Sequence, residues 1–291
     1  MKQRLDEQVG RMVERLLNDY NEGRTIDKVL DFDHPDQQEI RDILSKLQRI
    51  LFPGYFKNHS VRVYTMKNNL TMLLEDVLYN LAKQIKMVLK YSDQWSALDE
   101  ACAERASQEL AIQFLDRIPQ IRSVLETDLE AFYEGDPAAF NKDEIIFSYP
   151  GLFAVMVYRL AHELYLLQIP ILPRMMTEIA HSQTGIDIHP GATIGKYFFI
   201  DHGTGIVVGQ TTEIGEHVKI YQNVTLGALS TRGGHALSES KRHPTLGNRV
   251  TVYSGATILG GETIIGDDVV IGGNAFITTA VPAGSKVSLT P

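Results

Sequence analysis

The sequence predicts an α+β fold: an all-α N-terminal domain followed by a C-terminal parallel β-helix. Three observations carry that reading. Branched apolar residues recur every six positions between Ile188 and Ile277. Gly, Ile, Val and Thr dominate after Gly185, where helical periodicity stops. Before that point, residues 1–183 carry apolar stripes at helical spacing.

The helices follow in order. Val9, Met12, Val13 and Leu16 form the first stripe. Ile40, Ile43, Leu44 and Leu47 form the second, which ends near Pro53-Gly54. A long pattern runs from about Val61 to Leu89. Ser96 followed by Asp99 resembles a capping box and opens a helix through about Leu115. Pro119 starts another, reaching Tyr133. Gly135-Asp136-Pro137 breaks the chain, because a residue before Pro disfavours helical backbone. Gly151–Leu167 reads as an apolar helix and Pro173–Ser182 as a short last one.

The repeat comes in four runs: Ile188, Ile194, Ile200 and Ile206; Val208, Ile214, Ile220 and Leu226; Leu246, Val252 and Ile258; Ile265, Ile271 and Ile277. A two-residue offset separates the first run from the second. A six-residue period fits neither an amphipathic helix nor an alternating strand; it marks a prism in which each hexapeptide is one flat face. Three faces make a coil of about eighteen residues, with branched side chains inside and Gly at corners where a Cβ would clash. The expected division is a helical domain over 1–185 and a β-helix over 186–291. Within the former, 1–100 reads as an extension before a helical part at 101–185. Residues 228–244 break the repeat with Gly233-Gly234, serines and charges, the composition of a loop ejected from one corner.

Composition narrows the function. At 291 residues, 44% hydrophobic and 22% charged, the chain is ordinary for a soluble protein. A net charge of −8 argues against a basic nucleic-acid surface and against attraction to anionic lipid. No apolar run approaches a membrane span. The opening Met-Lys-Gln-Arg-Leu-Asp-Glu lacks a signal-peptide core, so the expected compartment is the cytoplasm. Cys102 is the only cysteine and reads as a small buried hydrophobe.

Three motifs sit in the repeat: Asp187-Ile-His189-Pro, Asp201-His202-Gly-Thr-Gly and Lys241-Arg242-His243-Pro. A lone histidine in a repeat protein is ordinarily a satisfied corner residue. Here Asp187 lies fifteen residues before His202, close to one coil, so the two can face each other across adjacent coils. Order and spacing of the motifs resemble the serine O-acetyltransferase family, over roughly Asp136 to Pro282. The resemblance implies a left-handed prism and a catalytic dyad of His202 and Asp187. It implies that Arg242 and His243 bind the substrate carboxylate and reacting region, and that Asp136 and Asp201 hold the ammonium group. It places acetyl-CoA along the prism in a groove between subunits, at Gly227, Ala228, Ser254, Gly255, Ala256 and Gly273. His189 and His162 read as structural, and no metal is expected.

The chemistry is consistent. A hydroxyl is a weak nucleophile near neutral pH, so a base must take its proton as it attacks the thioester. An Asp on one imidazole nitrogen fixes the tautomer and leaves the other basic. An Arg fork matches a carboxylate. The expected function is therefore transfer of acetyl from acetyl-CoA to L-serine, giving O-acetyl-L-serine and CoA in cysteine biosynthesis. Expected partners are L-serine, acetyl-CoA, L-cysteine as a feedback inhibitor, and further copies of the chain as a homotrimer or a dimer of trimers. The chain stops nine residues past Pro282 without an isoleucine tail, so a tight complex with O-acetylserine sulfhydrylase is not expected. Competing readings are a hexapeptide acetyltransferase acting on a sugar hydroxyl, a zinc enzyme of the γ-carbonic-anhydrase type, and a non-enzymatic assembly subunit.

Overall fold

The structure is a computed structural model that describes residues 2–27, 33–56, 65–230, 232–238 and 240–288. It divides into two units, Met1–Pro35 and Asp36–Pro291. In the first, helix α1 (Lys2–Tyr20) is followed by a turn that Arg24 closes on the Asp19 carboxylate at 2.9 and 2.6 Å. The residues of its stripe, Val9, Met12, Val13 and Leu16, are exposed.

The second unit begins with seven helices: α2 (Gln37–Leu51), α3 (Met66–Leu89), α4 (Glu100–Asp116), α5 (Ile118–Gly135), α6 (Lys142–Ser148), α7 (Pro150–Leu166) and α8 (Leu172–Thr184). Asp36 caps α2 by accepting from the Gln38 and Glu39 amides, and the helix buries Ile40, Ile43, Leu44 and Leu47. The expected start of α3 near Val61 lies outside the described residues; the helix begins at Met66 under a Thr65 cap. Asp99 itself, and not Ser96, caps α4, because its carboxylate reaches the Cys102 amide at 2.7 Å. Cys102 is half-buried rather than buried. Helix α6 was not expected; Asn141 caps it through the Glu144 amide. No single described helix is long and apolar enough to cross a membrane.

Among the described residues, fourteen short strands then build a left-handed parallel β-helix. The first face stacks β1 (Asp187–Ile188), β4 (Val207–Val208), β7 (Thr225–Gly227), β10 (Thr257–Leu259) and β13 (Phe276–Ile277). The second stacks β2 (Thr193–Ile194), β5 (Glu213–Ile214), β8 (Thr245–Leu246) and β11 (Ile264–Ile265). The third stacks β3 (Phe199–Asp201), β6 (Lys219–Tyr221), β9 (Thr251–Val252), β12 (Val270–Ile271) and β14 (Lys286–Val287). The repeat isoleucines, valines and leucines point inward, and Ile206, Val208, Ile220, Leu226, Val252, Ile258, Ile265 and Ile271 are all but inaccessible. Each such burial is worth about 1.5–3 kcal/mol.

Glycines sit at the corners where a Cβ would clash, as the repeat predicts. A Cβ on Gly195 would sit 2.6 Å from the Gly215 carbonyl oxygen, so the glycine is there for want of room. The left-handed backbone falls instead on non-glycine residues two positions on: Tyr197, His217, Arg249 and Asp268. Secondary structure changes between Thr184 and Asp187, where composition changes. By contacts, however, residues 36–291 form one unit. A buried staple explains the join. Arg159 on α7 grips Asp128 on α5 with two bonds of 3.0 Å and donates to the Ile194 and Gly195 carbonyls of the prism. Tyr158 donates to the Ala192 carbonyl at 2.6 Å, and His162 Nδ1 lies 2.7 Å from the Pro190 carbonyl.

Candidate active site

Two corners of the prism hold the candidate residues, one on each side of the first face. At the corner leading from the third face to the first, Asp187 stacks under Val207 and not under Gly205, so this coil is longer than about eighteen residues. The extra length is the turn His202-Gly203-Thr204-Gly205, in which residues 202, 203 and 205 have positive φ. His202 therefore projects from a backbone left-handed at φ 56°, with a side chain 70% exposed. Its Nδ1 lies 3.6 Å from the Asp201 carboxylate, an ion-pair separation too long for a hydrogen bond.

Asp136 joins this corner from the C-terminal end of α5. The Tyr149 hydroxyl donates to its carboxylate at 2.5 Å and the Ala138 amide at 2.8 Å. Those bonds, with His202 nearby, hold the Asp136 carboxyl below the usual range, and the Asp136 bond pushes Tyr149 up to about 12. Tyr221 stacks on Tyr253 at 5.1 Å beside this acidic patch. The corner then climbs past Gln222, Ser254 and Gly273: the Gly255 amide donates to the Gln222 carbonyl and the Asn274 amide to the Ser254 carbonyl.

The corner leading from the first face to the second is basic and tightly bonded. The loop 228–244 leaves the prism here, between β7 and β8. Arg242 donates to the Leu237 and Ser238 carbonyls at 3.0 Å each and to Gln210 Oε1 at 2.5 Å. His243 is only 8% exposed. Its ring lies flat on Gly209, where a Cβ would come within 1.9 Å of Cδ2. Burial first, then Arg242 and Lys241, push His243 down to about 4. Burial and Arg174 do the same to His189 at the equivalent corner of the coil below, also to about 4.

Asp187 faces outward from the first face between these corners. The turn at 202–205 rests directly on its neighbours, with the Gly205 amide bonded to the Gly185 carbonyl at 2.8 Å. Its carboxylate, however, turns to Arg174 on α8, at 2.7 and 3.3 Å. No hydrogen bond or ion pair joins Asp187 to His202 among the described residues. Glu178, His181 and Asp187 lie close enough together to share a cation, but the Arg174 guanidinium already contacts both carboxylates.

The residues expected along acetyl-CoA divide in the same way. Gly227 and Ala228 lie at the basic corner, at the loop root. Ser254, Gly255 and Gly273 lie at the His202 corner. Ala256 is a correction: it is wholly buried, with its N–H and C=O both paired, so it lines the core and not a groove. Sequence reasoning passed over Arg174, Tyr149, Thr211 and Gln210. Each acts on a residue 13 or more positions away, for which no local motif gives a signal.

Comparison with known proteins shows what the chain is similar to. The chain is 43% identical over 260 residues to "Serine acetyltransferase, plasmid" of Synechococcus elongatus, covering 87% of this chain and 81% of that one. It is 50% identical over 132 residues to a serine acetyltransferase of Helicobacter pylori, covering 45% of this chain and 74% of the relative. Among solved structures, serine acetyltransferase 1 of Entamoeba histolytica in complex with L-cysteine superposes with a TM-score of 0.74 and 38% identity, covering 88% of this chain and 87% of that one. No family model matches the chain.

Proposed function

This chain belongs to the serine acetyltransferase family, and from that premise we propose how its two corners divide the reaction. It is an acyltransferase that acetylates the hydroxyl of L-serine. The donor is acetyl-CoA. His202 takes the serine hydroxyl proton on the imidazole nitrogen turned away from Asp201, as the oxygen attacks the thioester carbon. The tetrahedral oxyanion collapses, the C–S bond breaks, and the imidazolium returns its proton to the CoA sulfur. Asp136 and Asp201 hold the ammonium group and stabilise the imidazolium. Arg242 takes the carboxylate with donors left free by the loop, and His243 supplies a hydrogen bond beside it. Asp187 steadies the His202 corner through Arg174.

One observation carries this reading: the acidic corner with the base and the basic corner with the anion-binding groups flank the same face. They are separated by β4 and its flanking residues, on the order of 10 Å of extended chain. That separation suits a site shared between two copies. Abutting the basic corner of one copy against the His202 corner of the next closes the site and pairs the two halves of the acetyl-CoA groove. A trimer does this three times over. L-Cysteine has the same ammonium and carboxylate as serine, and its thiol would meet His202. It therefore competes for the acceptor site, a reading supported by the Entamoeba histolytica complex.

The test is acetyl-CoA consumption with L-serine set against L-homoserine, L-threonine and simple sugars. Serine is expected to be the best acceptor by a wide margin. A sugar turned over faster than serine would overturn the assignment.

A further inference from the structure

We propose that Thr211 is a positioning residue that locks the His243 imidazole as its Nε2–H tautomer, making the free Nε2–H a standing donor to an anionic oxygen in the site. The proposal rests on the reading that Arg242 and His243 face the substrate.

Bond counting at Thr211 forces the tautomer. The Thr211 main-chain N–H donates to His243 Nδ1 at 3.1 Å. The Thr211 hydroxyl oxygen lies 2.9 Å from the same nitrogen. That oxygen already accepts from the Arg242 amide at 3.0 Å and the His243 amide at 3.1 Å. A hydroxyl has two lone pairs and one proton. Both lone pairs are taken, so its proton points to Nδ1. A main-chain N–H can only donate. His243 Nδ1 therefore faces two donors and must keep its lone pair, which leaves the ring proton on Nε2. No described residue bonds to Nε2, although the ring is only 8% exposed. The ring fills the space a Cβ on Gly209 would take, and its Nδ1 contacts with Thr211 set how it lies.

The surroundings favour the neutral ring. Arg242 and Lys241 flank it on its own loop. His189, with Arg174 and Asp187 around it, faces it from the coil below. Glu213, on the second face, is paired with Lys241 at 3.1 Å. The lone pairs that such a donor suits belong either to the acceptor carboxylate beside Arg242 or to the thioester oxygen as it becomes an oxyanion. Kinetics separate them: loss of the first raises the serine KM, and loss of the second lowers kcat.

Two measurements test the proposal. Nitrogen-15 NMR of His243 in the unliganded enzyme reads the tautomer directly. We expect the Nε2–H form with no titration between about pH 5 and 8. In Thr211→Val the main-chain N–H still donates to Nδ1 but the hydroxyl no longer does, so the share of the Nε2–H form should fall or the ring should begin to titrate within that window, while Thr211→Ser should behave as wild type. In step, Thr211→Val should lose about ten- to a hundredfold in kcat/KM and gain an acidic limb in its pH profile, and Thr211→Ser should restore both. A wild-type ring protonated on Nδ1 would overturn the lock, whether or not the Val variant folds. A tautomer ratio unchanged in folded Thr211→Val would overturn the hydroxyl's part in the lock and leave it to the main-chain N–H alone. A lock that holds while His243→Asn and Thr211→Val leave kcat and KM untouched would instead remove His243 from the site.

Discussion

The two corners that flank β4 carry opposite kinds of histidine. His202 stands 70% exposed on a left-handed turn, with one carboxylate at 3.6 Å and no side-chain hydrogen bond among the described residues. His243 is 8% exposed, bonded through Nδ1 to Thr211 and pressed on Gly209. The difference teaches which task each ring suits. A base must bind a proton and give it up again, so it needs a site where the cation is tolerable; an acidic, open corner provides one. A neutral donor must not take up a second proton, and burial beside Arg242 and Lys241 discourages that.

The sharpest way to break the comparison is His202→Ala. We expect kcat to fall by about 10²–10⁴, with KM moving less, since the ring acts on the moving proton. Steady-state rates retaining more than half of wild-type kcat would end its role as base. Arg242→Ala probes the other corner. Loss of a charge-assisted carboxylate bond should raise the serine KM about ten- to a hundredfold and the acetyl-CoA KM less. An equal rise in both would move Arg242 to the nucleotide side.

Mixing these two impaired variants, at serine well below the raised KM, tests whether the corners meet between copies. Refolded mixtures should recover part of the wild-type rate, because some interfaces then pair an intact His202 with an intact Arg242. Mixtures no more active than their parents would place the whole site within one chain. Asp187→Asn should lower kcat by less than the loss of His202, since Asp187 bonds to Arg174. Unchanged turnover would leave it a purely structural partner of α8.

The smallest effect is on stability. His189 and His243 are both held near 4 in the fold, against about 6.5 in an unfolded chain. The unfolded state therefore binds protons first as pH falls. Stability should be full above about pH 6.5 and decline steadily toward pH 4. Urea midpoints across that window would show it, and His243→Asn should flatten the slope. A midpoint that rises on acidification would contradict the burial of neutral rings.

Much of this was readable in advance, for identifiable reasons. A six-residue period is a local property, so the inward positions Ile188, Ile194, Ile200 and Ile206 followed directly from it. The two-residue offset after Ile206 records the extra turn that carries His202. Helix α6 escaped because its seven residues are too few to show a period. Ala256 was misread because a small residue near a corner looks the same whether it faces in or out.

The sequence by itself determined the prism, its helical neighbour, the three histidine motifs and the family to which they belong. These depend on spacing along the chain, which stacking turns into position. Only the tertiary structure decided which side chain bonds to which. Asp187 and Arg174, Asp136 and Tyr149, and His243 and Thr211 meet because helices and coils distant in sequence pack together. It also decided that His202 stands on one corner and Arg242 and His243 on another, since a coil's length is fixed by its turns and not by its repeat.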